Sequence, residues 1–196
     1  MERPADWPYP DFDPVATADE RATLAHFLGL QRRYLAAKCE GLDAEQLARR
    51  SAEPSDLSLL GLLRHMAEVE RNWFRNVMAG GDVDRYYGSD DDPDGDIHGA
   101  DADPGQVDEA WRTFWQEVEF AERFVADAPD LEITGIERWR GPLSLRWVLV
   151  HMIEEYAQHN GHADLLRERI DGSVTTDPMA DTDPISDTDM PDDTDG

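Results

Sequence analysis

From Leu145 to Ile170 the chain runs without a proline and with a single glycine, Gly161, and its apolar side chains recur every three or four positions. Leu145, Val148, Leu149, Met152, Tyr156, Ala163, Leu166 and Ile170 fall on one stripe of a helix that advances about 100° per residue. A stripe of that length must be covered by other elements, because a one-sided helix cannot bury its apolar face alone. Three further segments repeat the pattern. The first runs from about Asp19 to Cys39, with Leu24, Phe27, Leu28, Tyr34 and Leu35 on one side, and stops before Gly41. The second starts after Ser58, a good N-cap residue, carries Leu59, Leu62, Leu63, Met66, Val69, Trp73 and Val77, and ends at Gly80-Gly81. The third opens on Asp103-Pro104, a cap followed by a first-turn proline, and presents Trp111, Phe114, Trp115, Val118, Ala121 and Val125. The long helix at 145–170 is the fourth, capped by Ser144 and stopped near Gly172.

Four amphipathic helices in a chain of 196 residues predict an all-α domain, a four-helix bundle. The segment from Gly80 to Asp103, rich in Asp and Gly, is long enough to travel back along a helix of about 30 Å, so a crossover between helices two and three is expected. A short helical turn is expected near Asp43 to Arg50, and residues 128–143 have room for a small strand pair. The domain plan is an extended arm at 1–17, the bundle at 18–172 and a disordered acidic tail at 173–196, where Thr-Asp and Asp-Pro units replace apolar residues.

Charge and cysteine content narrow the function. The net charge is −26, and the tail supplies eight aspartates with no Lys or Arg, so the remainder still carries −18. Such a surface repels nucleic acid and anionic membrane. The lone cysteine, Cys39, excludes an internal disulfide and a Cys-based zinc cage. The first residues lack a basic start followed by an apolar run, and no stretch is long and apolar enough to span a membrane. A cytoplasmic location is expected.

Two residues interrupt the fourth stripe. Glu155 and His159 lie one turn apart, side by side on the helix surface. An unpaired carboxylate on a buried face is costly, whereas a bound cation would turn the cost into a gain. The second helix offers His65 at the margin of its stripe. Two imidazoles and one carboxylate make a donor set for zinc, iron or nickel with open positions. The same residues also read as a hydrogen-bonded core histidine and an i, i+4 ion pair. His151 and His162 lie about 60–80° from the stripe centre and read as boundary groups supporting such a set. Arg64, Arg71 and Arg146 read as ion-paired or as holders of an anionic substrate, Cys39 as a buried hydrophobe, and Trp73, Trp111, Trp115 and Trp147 as core. A ferritin-like di-metal centre wants Glu-x-x-His on two helices, while the second helix carries His65-x-x-Glu68 in reverse order.

The segment Leu-Leu-Arg-His65-Met-Ala-Glu-Val-Glu-Arg-Asn-Trp-Phe, together with Glu155-Tyr-Ala-Gln-His159-Asn-Gly-His162-Ala-Asp-Leu-Leu-Arg, resembles the DinB-like superfamily of small metal-binding helical bundles. That superfamily includes YfiT-like proteins and the metal domain of mycothiol-dependent maleylpyruvate isomerase. The resemblance spans about residues 18–172. It implies one ligand from helix two and two from helix four, the latter usually as His-x-x-x-His-x-Gly-Gln. Here Glu155 stands at the first His and His162 at the Gln, as in the isomerase branch, which implies His65, Glu155 and His159 as metal ligands. It further implies a divalent ion, zinc first and nickel or iron next, and a thiol-dependent S-transferase or isomerase that uses a low-molecular-weight thiol such as mycothiol. Its partners would be that small-molecule thiol and an electrophilic substrate, on a chain that dimerises with its own copy. The competing expectations are a non-catalytic metal-binding stress or interaction protein and a metal-dependent hydrolase.

Overall fold

The computed structural model describes residues 16–174. The expected arm and tail lie outside the described residues, except for Ala16–Thr17 and Ser173–Val174. The chain is mostly helical. Its elements in order are α1 (Glu20–Cys39), α2 (Ala44–Ala48), α3 (Leu59–Glu70) continued by a π-helical stretch (Arg71–Met78), α4 (Gly95–His98), α5 (Pro104–Asp127), β1 (Thr134–Glu137), β2 (Gly141–Ser144) and α6 (Leu145–Asp171).

Helix starts follow the capping residues. Asp19, Asp43, Ser58, Asp103 and Ser144 each accept a backbone N–H of the first turn, worth about 1 kcal/mol per cap. Asp43 and Gln46 form a reciprocal capping box. The last helix stops where Gly172 takes a left-handed φ of 79°, a conformation open to glycine at little cost.

Cross-helix pairs fix the directions. Glu20 meets Arg146 and Lys38 meets Asp164, so α1 and α6 run parallel. Arg64 meets Gln106 and Arg71 meets Glu117, so α3 and α5 run parallel as well. His65 lies against His159 and Trp73 against Trp147, which sets α3 antiparallel to α6. Two parallel helices joined through 79–103 require the chain to return along α3. The return is visible at Ile97, whose carbonyl would stand 3.3 Å from a Cβ on Gly61, near the start of α3. Arg64 donates to the carbonyls of Gly95 and Gly99, and Glu68 accepts the N–H groups of Tyr87 and Gly88. Glu68 is thus spent on the returning loop, which answers the di-metal reading.

Leu60, Leu63, Met66, Phe74, Phe114, Leu149, Met152 and Tyr156 are fully buried between these helices, each contributing about 1.5–3 kcal/mol. Three core expectations are corrected. Phe27, Trp115 and Trp147 are 50%, 42% and 37% exposed. On α5 the buried face is shifted toward Ala110, Thr113 and Glu117, which leaves Trp115 at its edge. Trp147 instead stacks on His151 at 4.9 Å.

The strand pair between α5 and α6 is an antiparallel hairpin in which Gly135 faces Leu143. Gly135 lies so close to the π-helical stretch that a Cβ there would stand 2.1 Å from the Val77 carbonyl oxygen. Only glycine permits this approach. The hairpin is thereby seated on the π-helical stretch that continues α3.

Candidate metal centre

α3 and α6 pack antiparallel, and this brings His65 against Glu155 and His159. One donor atom from each of the three lies within 4.8 Å of the others. They are half-buried, at the margin of the α6 stripe rather than at its centre. The His65 and His159 rings meet edge to face at 4.8 Å, and His159 Nε2 stands 3.7 Å from Glu155 Oε2. A metal takes such donors at about 2.0–2.2 Å, so small side-chain movements suffice to gather them on one ion. Imidazole, imidazole and carboxylate are chemically suited to zinc, iron or nickel.

Each of the three has an outer partner. His65 Nδ1 donates to Asp96 Oδ2 at 2.7 Å, which leaves the Nε2 lone pair for a ligand bond. Burial pushes the Asp96 carboxyl up, but the hydrogen bond and charge of His65 and the Ile97 N–H outweigh it and hold it below the usual carboxylate range. His151 Nε2 is 3.4 Å from Glu155 Oε1, and His151 is gripped between Trp73 and Trp147. His159 Nδ1 and His162 Nδ1 stand 3.4 Å apart, within hydrogen-bond reach. Burial, with His65 and His162 alongside, pulls His159 down to about 4, and it is neutral at pH 7 with a lone pair to offer.

Asp96 escapes a reading of the sequence. It belongs to a run of aspartates in a loop without periodicity, and only the return of the loop along α3 selects it. His98, two residues on, is exposed. His151 and His162 are where helical spacing puts them, behind the ligand candidates. Arg64, Arg71 and Arg146 are all engaged, by backbone carbonyls and Gln106, by Glu117, and by Glu20 with Glu132. Cys39 is buried, with its thiol near the Leu59 carbonyl, and burial pushes it up to about 12. Such a thiol is inert at neutral pH.

A cavity of about 830 Å³ opens from His65 and Asp96. It is bounded by the first half of the returning loop, by Asn72 and Asn76 of the π-helical stretch, and by the hairpin turn Glu137–Trp139. Arg71 lies in its wall, tied to Glu117 at 3.0 Å and packed 4.1 Å above the Tyr86 ring. Among the described residues, no helix is long and apolar enough to cross a membrane.

A sequence model of the family described as Mycothiol-S-transferase matches residues 23–172. No curated protein sequence matches the chain. Among solved structures, one described as the "conserved protein of locus from Enterococcus faecalis" aligns over 80% of this chain and 100% of its own, with a TM-score of 0.56 and 14% identity, a likeness of fold. The family match runs from within α1 to the end of α6 and includes His65, Glu155 and His159, and the chain belongs to the mycothiol S-transferase family, within the DinB/YfiT-like superfamily.

Proposed function

We propose that this protein is a metal-dependent S-transferase that uses mycothiol as its thiol, with His65, Glu155 and His159 holding one divalent ion, zinc before nickel or iron. The observation that carries the reading is the convergence of two imidazoles and one carboxylate from two helices in a chain whose residues 23–172 match the mycothiol S-transferase family. The same reading takes the four long helices as a bundle over residues 18–172, with 79–103 as its crossover, working in the cytoplasm.

An ion bound there supplies positive charge that lowers the pKa of a thiol, so that the sulfur is a thiolate near neutral pH. The chain's own residues prepare that chemistry. Asp96 fixes the tautomer and orientation of His65. His151, clamped by two tryptophans, orients Glu155. His159, kept neutral by burial, adds no charge to the donor set. The cavity beside His65 gives the thiol and an electrophile a common entrance. The sulfur attacks an electrophilic carbon, and the leaving group departs with the bonding electron pair.

The test is transfer of mycothiol to a haloalkane by the zinc-loaded full chain, followed by mass spectrometry. Turnover that requires zinc and falls at least about a hundredfold in His159→Ala is expected. Zinc binding with no turnover would assign the chain to the non-catalytic class, and equal turnover without metal would refute the ion's role.

A further inference from the structure

Arg64 immediately precedes His65 on α3, and its buried side chain is not used as a charge. It makes no ion pair among the described residues. One terminal nitrogen donates to the Gly99 carbonyl at 2.6 Å and to Gln106 Oε1 at 3.0 Å, and the other donates to the Gly95 carbonyl at 2.9 Å. Its Nε has no hydrogen-bond partner among the described residues, so the two terminal nitrogens do all of the gripping. Gly95 opens α4 and Gly99 is its C-cap residue, and Asp96 lies between them. One guanidinium therefore holds both ends of the turn that carries the partner of His65. A single helical turn has little stability of its own, and its orientation is set by what grips its ends.

Two further observations bear on this clamp. The first is the space left for it. A Cβ on Gly99 would stand 3.1 Å from Arg64 Nη2 and 2.8 Å from the Gly95 carbonyl oxygen, so the fork reaches α4 because glycine stands there. The second is its cover. The Tyr87 ring lies 4.2 Å from the central carbon of the guanidinium. Tyr87 is itself fastened, its N–H to Glu68 at 2.6 Å and its hydroxyl to Thr113 at 2.7 Å. Residues 88–94 thus run between two contacts with one side chain, the ring of Tyr87 before them and the carbonyl of Gly95 after.

From α4 the path to the metal centre is short. Asp96 Oδ1 accepts the Ile97 N–H at 2.9 Å, which fixes the carboxylate to the backbone of its own turn, and Oδ2 lies 2.7 Å from His65 Nδ1. A displacement of α4 therefore carries the carboxylate away from the imidazole. We infer that Arg64 is a positioning residue of the metal centre: it locks α4 onto α3, so that Asp96 keeps His65 in the tautomer that is protonated at Nδ1 and free at Nε2. The role needs a planar fork, because two carbonyls are reached by different nitrogens of one rigid group, a geometry that a lysine ammonium does not reproduce. The inference rests on His65 being a metal ligand, as proposed above, and its test separates the two.

The test joins two measurements on the full chain: nitrogen NMR of the histidine side chains without metal, at about pH 8, where an ordinary imidazole is neutral, and zinc affinity by chelator competition. In the wild type the two ring nitrogens of His65 should resonate well apart, as in a single tautomer. Arg64→Lys, which keeps the charge, should draw the two resonances together and lower zinc affinity about 10–100-fold. Gly99→Ala leaves Arg64 in place but crowds its fork, and should shift both readouts in the same direction by less. Because Arg64 acts through Asp96, the losses should not multiply: in the Asp96→Asn background, Arg64→Lys should lower affinity by no more than about twofold. A wild-type His65 signal and zinc affinity in both Arg64→Lys and Gly99→Ala, or losses that multiply in the double variant, would overturn the role. If zinc binding depends on His159 but is indifferent to Arg64→Lys, the positioning role fails and the metal reading stands; if the His65 tautomer depends on Arg64 and no zinc is bound, the reverse holds.

Discussion

Two polar clusters lie between α3 and α6, hardly a turn and a half apart, and they are built on opposite principles. In the first, Arg32 donates two hydrogen bonds to Glu70, at 2.7 and 2.8 Å, and Tyr156 adds a third at 2.8 Å. All three side chains are buried, and the charges cancel inside the chain. In the second, His65, Glu155 and His159 turn their donor atoms toward one another, while their outer sides are held by Asp96, His151 and His162. The first cluster is closed and ties α1, α3 and α6 together. In the second, no hydrogen bond among the described residues joins the three facing donor groups to one another. A buried polar group is thus assigned to structure or to function by whether its partners lie within the fold.

That contrast can be broken from either side. The largest expected effect is at the open cluster: replacing His65, Glu155 or His159 by Ala should lower zinc affinity by at least about a thousandfold and abolish thiol transfer. Circular dichroism should show the helix content retained. Glu70→Ala should do the opposite. It strands the Arg32 guanidinium and should cost about 3–5 kcal/mol in denaturant unfolding, while zinc bound per folded molecule stays at one. Loss of zinc binding in Glu70→Ala at full folding would erase the distinction.

Smaller changes sharpen it. Asp96→Asn keeps the shape but loses the carboxylate that fixes His65, and zinc affinity measured by chelator competition should fall about 10–100-fold without loss of stability. An unchanged affinity would reduce Asp96 to a loop anchor. Least affected should be Cys39→Ala. Its thiol is buried and pushed up to about 12 by that burial, so transfer activity should stay within about twofold, and the native protein should resist iodoacetamide at pH 8. Rapid alkylation of Cys39 would show it to be accessible.

The helices were legible because their signals are local. Asp19, Ser58, Asp103 and Ser144 mark starts by chemistry that needs no tertiary contact, and Gly172 marks a stop in the same way. Glu155 and His159 were legible for the same reason, since i, i+4 spacing places them together. Their meeting with His65 rested on resemblance, because periodicity gives a helix its faces and not its neighbours. The buried Glu70 had a signal that was overlooked: it follows Met66 by four residues and precedes Trp73 by three, on the apolar stripe itself. The π-helical stretch, with Ala79 N–H reaching the Phe74 carbonyl, had none, because its apolar spacing is that of an ordinary helix. Asp96 was equally silent. It lies where the returning loop is laid over α3, and such a position is set by the whole fold.

The claim on which the rest depends is that one ion is held by two imidazoles and one carboxylate. X-ray absorption at the zinc edge, on the thiol-free full chain loaded with one equivalent, tests it most directly. The account predicts about two imidazole nitrogens and at least one oxygen near 2.0–2.2 Å with no sulfur, and loss of one imidazole in His159→Ala. A sulfur shell, or a spectrum identical in wild type and His159→Ala, would contradict it.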